Sequence, residues 1–284
     1  MTIKKYLLPI ALTLSFSAFS YADTEKPATH FPAVMVVMLE NMSYAELKNE
    51  PVIKKLMSYT GNRFDAKGRL HATKTQASSD ENGFGYAFFS TYSNHHEGGI
   101  LPTRPSEPNY IALTSGSIQK IIDDEMHDVN ADNIANELNE ANVSWKIYAE
   151  DLPNAFDSDV KPSDFSQAGC FIGRSHSHHG RPEDGYMRKH EPLVSYLSVQ
   201  TQKEACQKIV NIDALAADIT SMPSFSLYIP NQVNDGHNGT LSERLKNVNS
   251  FLSQQLGIDA KTGIFLQKTD HADFKAFLDQ GGLL

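Results

Sequence analysis

The run Ala33 to Leu39, AVMVVML, constrains the fold more than any other stretch of this chain. Seven continuous apolar residues rich in valine, with no polar alternation, match a parallel strand covered on both faces, and we expect a central strand here. Glu40-Asn41-Met42-Ser43-Tyr44 follows at once. Ligands of open α/β sheets gather outside the carboxyl ends of strands, so Glu40 and Asn41 offer two oxygen ligands where a site is expected. Seen alone, such a glutamate is more often a solvated cap. From Glu46 to Tyr59 the spacing of Val52, Ile53, Leu56 and Met57 predicts a helix, interrupted near Pro51 and closed by Gly61.

The second informative stretch is Leu101 to Gly116, LPTRPSEPNYIALTSG. Pro102, Pro105 and Pro108 hold the approach extended, because proline fixes its own φ and moves the preceding residue out of the helical region. Asn109 to Ser115 then has the composition of a short helix stopped by Gly116, which puts Ser106 at or just before the helix N-terminus. A hydroxyl there sits among unpaired N–H groups at the positive end of the helix, a good position for attacking an anionic ester. The plain alternative is a capping serine in a proline-rich turn.

Helix-to-strand alternation continues further on. Asp132 to Asn142 places Ile134, Ala135, Leu138 and Ala141 on one helical face, Val143 to Tyr148 follows as a strand, and Ser224 to Ile229 is another. The pattern predicts an α/β fold, a mainly parallel sheet with helices on both faces. Residues 70–99 read as polar loop with one weak strand, and His95-His96 as surface. Regularity drops between Asp151 and Gln207, an irregular insertion. Within it the His-rich run Arg174 to Gly180 reads as a loop sampling solvent, with a specific metal site the less favoured option. Tyr186 to Pro192, YMRKHEP, sets Lys189 beside His190, a composition suited to gripping a phosphoryl oxygen or protonating a leaving group. Pro230 to Asn238, PNQVNDGHN, follows the last strand. Its Asp235 and His237, with a flexible glycine between, suit a divalent ion that takes oxygen and nitrogen, although Asn/Asp/Gly-rich turns are also ordinary loop chemistry.

Composition bounds the partners. Lys4 and Lys5, an apolar run from Tyr6 to Phe19, and Ser20-Tyr21-Ala22 read as a cleaved signal peptide over residues 1–22, leaving one large domain over 23–284. Export to the periplasm or medium is expected, with no stable membrane anchor after cleavage. The net charge of −9 becomes more negative once the leader lysines go, which disfavours nucleic acid as a partner. Cys170 and Cys206 are the only cysteines. An even pair in an exported chain favours one disulfide over two buried thiols.

Five blocks, VVMLENMSY, PSEPNYIALTSG, NELNEANVSWKIYAEDLP, YMRKHEP and IPNQVNDGHN, resemble in order the phosphoesterase family of acid phosphatases and bacterial phospholipases C within the alkaline phosphatase superfamily. The resemblance implies an alkaline-phosphatase-like sheet and metal-dependent hydrolysis of a small phosphate ester, through a serine nucleophile and a phospho-enzyme. It would make Ser106 the nucleophile, Asn109 a phosphate ligand, His190 a substrate or leaving-group contact, Glu40 and Asn41 ligands of a divalent metal ion of unknown identity, and Asp235 with His237 further site residues. Sulfatases of the superfamily carry Cys or Ser, any residue, Pro, any residue, Arg. Here Tyr110 stands where the arginine belongs, which disfavours sulfate chemistry. The family also has a further strand ending in an Asp-Glu pair that completes the metal site, whereas Gln280 to Leu284 resembles only the first residues of that strand. An incomplete copy is therefore expected, and a silent homologue that only binds phosphate esters or metal is the alternative reading. A serine esterase is weaker still, because no Gly-x-Ser-x-Gly elbow surrounds any serine.

Overall fold

The strand expected at residues 33–39 forms over its middle, and the element it pairs with comes from the far side of the sequence. In chain order the elements are β1 (Val34–Val37), α1 (Tyr44–Leu47), α2 (residues 51–54), β2 (Asn62–Phe64), β3 (Leu70–Ala72), α3 (Ser106–Ser115), α4 (Ile134–Glu140), β4 (Trp145–Ala149), β5 (Ser175–His176), β6 (Tyr186–Met187), α5 (Leu197–Gln200), α6 (Lys203–Cys206), β7 (Ile209–Asn211), α7 (Ala214–Asp218), β8 (Phe225–Ile229) and α8 (Leu241–Leu256). This is a computed structural model that describes residues 33–54, 62–64, 70–72, 105–178, 180–219, 221–256 and 261. The expected leader, His95-His96 and the segment from Gly263 onward lie outside the described residues.

Four strands form one parallel sheet in the order β1-β8-β4-β7. Val34 pairs with Phe225 and Trp145 pairs with the same Phe225, so β8 lies between β1 and β4 in one register. β1 was expected to be central. Among the described strands it lies outermost, and its Val34, Val36 and Val37 are only partly buried, while β4 and β8 hold the middle. Side chains alternate cleanly between two cores, as strand geometry requires. Ile147, Ala149, Leu227 and Ile229 face one core together with Tyr110 and Ile111 of α3 and Ala135 of α4. Met35, Tyr148 and Tyr228 face the other, with Leu47, Val52 and Ile53 of α1 and α2, Leu215 of α7, and Val248, Phe251 and Leu252 of α8. Helices therefore cover both faces, and each fully buried aliphatic or aromatic side chain here contributes about 1.5–3 kcal/mol.

Local chemistry sets the helix limits. Ser43 and Glu46 form a reciprocal capping box at α1, with Ser43 N–H donating to Glu46 Oε2 and Glu46 N–H to Ser43 Oγ. Pro51 opens α2 at a first-turn position where its missing N–H costs nothing. Asn133 caps α4 by accepting from the Ala135 N–H. The segment between β4 and β7 is irregular as expected, built of 3-10 turns, the antiparallel pair β5–β6 and two short helices. A disulfide joins Cys170 to Cys206 across 36 positions. One expectation fails there: Ser175-His176 is a strand, not a solvent-sampling loop, and His176 is buried.

Candidate functional site

Because the sheet is parallel, the chain leaves β1, β4 and β8 at one edge, and their exits are tied together. Glu40 N–H, just past β1, donates to the Asp235 carbonyl at 2.8 Å. Glu150, just past β4, accepts from the Tyr228 hydroxyl, the Asn231 N–H and the Asn234 amide, which fixes the loop after β8. Gly236 in that loop has φ +93°, and a Cβ there would meet Met42 Cγ at 2.8 Å and Val248 Cγ2 at 2.9 Å. Only glycine allows the loop to lie this close to the strand end.

Ser106 is the first residue of α3, which is preceded by Pro105 in extended geometry and closed by Gly116 in the left-handed region. Its hydroxyl donates to Glu40 Oε1 at 2.5 Å, which joins the two most informative stretches of the sequence across 66 positions. Pro108 is tolerated because first-turn N–H groups have no intrahelical partner. Asn109, one turn along, donates its amide to the Pro105 carbonyl at 3.0 Å and so holds its side chain at the same helix end.

His190 closes the cluster. It lies in the 3-10 turn Arg188–His190, with Nε2 3.4 Å from Glu40 Oε1 and Nδ1 3.3 Å from Asp235 Oδ2. Its ring stacks on Tyr110 with centroids 4.9 Å apart, and the Gln232 amide lies 2.7 Å from Nδ1. His237 stands beside it, ring centroids 5.6 Å apart. Asn238 donates through Nδ2 to the Glu183 carbonyl and to Asp184, so its Oδ1 faces His237 Nδ1 at 2.9 Å. That arrangement places the His237 proton on Nδ1 and leaves the Nε2 lone pair for a ligand.

Electrostatics follow from this packing. Burial would raise the Glu40 pKa, but the hydrogen bond and charge of His190, the Ser106 hydroxyl and the charge of His237 outweigh it and bring the pKa to about 2. Burial lowers the His190 pKa, and the facing carboxylates Asp235 and Glu40 more than reverse that. Burial raises Asp235.

A cation would suit this set. Glu40, His190 and His237 present ligand atoms within 4.8 Å of one another. His190 Nε2 and Asp235 Oδ2 are buried with only the long 3.4 and 3.3 Å contacts within this cluster, an arrangement that is costly unless something else completes it. Carboxylate and imidazole together fit a divalent ion of the manganese-to-zinc type.

Of the residues singled out from sequence, Glu40, Ser106, His190, Asp235 and His237 come together, with Asn109 at the same helix end. Asn41 follows Glu40, is exposed, has φ 54°, and gives its carbonyl to Arg244 at 2.7 Å. Lys189 is engaged by Asp124 at 3.1 Å. Sequence reasoning missed Tyr110, Gln232 and Asn238. Tyr110 stands four residues after Ser106 on one helix face, a spacing that could have shown it, whereas the other two carried no signal beyond membership of the loop.

A model of the phosphoesterase family matches residues 101–256. The chain is similar to a probable acid phosphatase of Kluyveromyces lactis, 29% identical over 161 residues that make up 55% of this chain and 35% of that protein. An acid phosphatase of Aspergillus fumigatus is 28% identical over 144 residues, 49% of this chain and 29% of the relative. A phosphatidylinositol-3-phosphatase of Mycobacterium tuberculosis is 32% identical over 148 residues, 50% and 40% respectively. The matched part spans about a third of the length of the fungal relatives.

Proposed function

The chain belongs to the phosphoesterase family, and from that premise we propose that it hydrolyses small phosphate esters with Ser106 as the nucleophile. The observation that carries this reading is the hydrogen bond from Ser106 Oγ to Glu40 Oε1 at the N-terminus of α3. A carboxyl with a pKa of about 2 is too weak a base to take a serine proton, so Glu40 is better suited to holding a cation than to general-base work. When bound by Glu40, His190 and His237, with Asp235 and Asn41 beside them, a divalent metal ion would lower the serine hydroxyl pKa and neutralise substrate charge.

The chain's own groups do the rest. The N-terminus of α3 draws the phosphoryl group, and Asn109 is the proposed donor to a non-bridging oxygen. Ser106 Oγ gives up its proton to solvent and bonds to phosphorus as the ester oxygen leaves and takes a proton from water, giving a phosphoserine that water then hydrolyses to release inorganic phosphate. His190, between Glu40 and Asp235, fixes both carboxylates beside Ser106. Lys189 adds positive charge from its place on Asp124 rather than a direct grip. An exported location is supported by the apolar leader and by the disulfide, a bond of oxidising compartments.

Turnover of a chromogenic phosphate monoester tests this. Ser106→Ala should lower kcat by about 10³-fold or more, as removing a nucleophile does. A chelator should abolish the wild-type rate reversibly. Turnover that survives both treatments would eliminate the reading.

A further inference from the structure

The His-rich run 174–180 lies outside the Glu40–Ser106 cluster, and the fold gives it a defined partner. β5 carries His176 into the interior, where its edge meets the ring of Phe171, centroids 6.4 Å apart. His176 Nδ1 lies 2.7 Å from the Asp151 carbonyl. A carbonyl only accepts, so Nδ1 carries a proton and Nε2 is the nitrogen turned toward the candidate ligands. Nε2 points at the Asp159 carboxylate, 3.3 Å from Oδ2. His178 stacks edge-on against His176, ring centroids 4.6 Å apart. Asp157 completes the group. Its carboxylate is held by the Asn154 backbone N–H at 2.9 Å and the Asn154 amide at 2.7 Å, so it is oriented before any ligand arrives.

We propose that Asp157, His176 and His178 form a second divalent-metal site, taking Zn²⁺ or a similar transition ion, with Asp159 as fourth ligand. The ligand atoms of the first three lie within 4.8 Å of one another. On a tetrahedral ion with bonds of roughly 2.0–2.1 Å they would stand about 3.4 Å apart, a contraction that exposed His178 and Asp159 can make. Two imidazoles with carboxylates select zinc-type ions over magnesium or calcium, which want oxygen alone. The site has no residue in common with the Glu40 cluster. It would clamp the segment after β4, residues 151–159, onto the β5–β6 hairpin. Asp151 is itself hydrogen-bonded to Asn231 of the loop after β8, so the clamp bears on the same edge of the sheet that holds Ser106.

Calorimetric titration of the full chain with Zn²⁺ tests the site, using His237→Ala as background to disable the first cluster. This variant should still bind one Zn²⁺ and gain melting temperature from it. His178→Ala in that background should weaken the remaining affinity by about tenfold or more and remove the thermal gain. Asp157→Asn should do the same, with far-UV circular dichroism confirming the fold. His178→Ala alone should leave phosphate-ester turnover unchanged. Zn²⁺ binding equally tight with and without His178, or no binding in the His237→Ala background, would overturn the proposal without touching the assignment of Ser106.

Discussion

A serine hydroxyl in water holds its proton too firmly to attack phosphorus, so the interest of Ser106 lies in what surrounds it. Three ionisable groups are packed together, His190 and Asp235 fully buried and Glu40 partly so, and each sets the charge of the next. A second pair, buried Glu107 with partly exposed His127, begins at the next residue of α3. Glu107 accepts from His127 through its ring at 2.7 Å and from the His127 N–H, while its own N–H donates to Asp124. Burial lowers the His127 pKa, but the hydrogen bond and charge of Glu107, with the charge of Asp123, raise it above the usual histidine value. A raised folded-state pKa contributes stability that is fully present below the unfolded value, near 6.5, and is lost as pH rises through the folded value. His127→Gln should therefore lower the melting temperature more at pH 6 than at pH 9. With His127 about 30% exposed, the difference should stay below about 1 kcal/mol. A pH-independent loss would show that His127 acts by packing alone.

At the scale of elements, the site depends on how three strand exits are held together, and the tightest point is Gly236. Gly236→Ala should cost roughly 1–3 kcal/mol, because it combines a positive φ with contacts under 3 Å to Met42 and Val248. The same variant should raise KM, since Glu40 N–H is bonded to the neighbouring carbonyl of Asp235; an unchanged melting curve would contradict that geometry. The disulfide is the other tie. Replacing Cys170 and Cys206 by alanine should lose about 4 kcal/mol by the loop-entropy model for a 36-residue separation, read as a shift in denaturant midpoint. These elements show what sequence can and cannot carry. Ser106 at a helix start was legible because Pro105, Pro108 and Gly116 punctuate the chain locally. The strand exits at Glu40 and Asp235 were legible because apolar runs end abruptly beside polar ones. The place of β1 outside β8 was not, because strand order is set by contacts nearly two hundred residues apart. The burial of His176 was not either, because a two-residue strand leaves no periodicity to read.

For the whole molecule, one topological fact organises the chemistry. A parallel sheet clothed by helices on both faces exposes its strand exits at a single edge, and Glu40 and Asp235 stand there with His190 between them. Among the described residues no helix is long and apolar enough to cross a membrane. The net charge of −9 means that attraction for a phosphate ester must come from local groups, the N-terminus of α3 and the cation-holding cluster, against the field of the rest. The central claim is that the Ser106 hydroxyl carries the phosphoryl group between substrate and water. The direct measurement is to quench turnover of a phosphate monoester in acid and map the digested chain by mass spectrometry. The account predicts a phosphoryl group on the peptide containing Ser106, absent from Ser106→Ala. Full turnover in wild type with phosphate trapped on another residue, or undiminished turnover in Ser106→Ala, would contradict it.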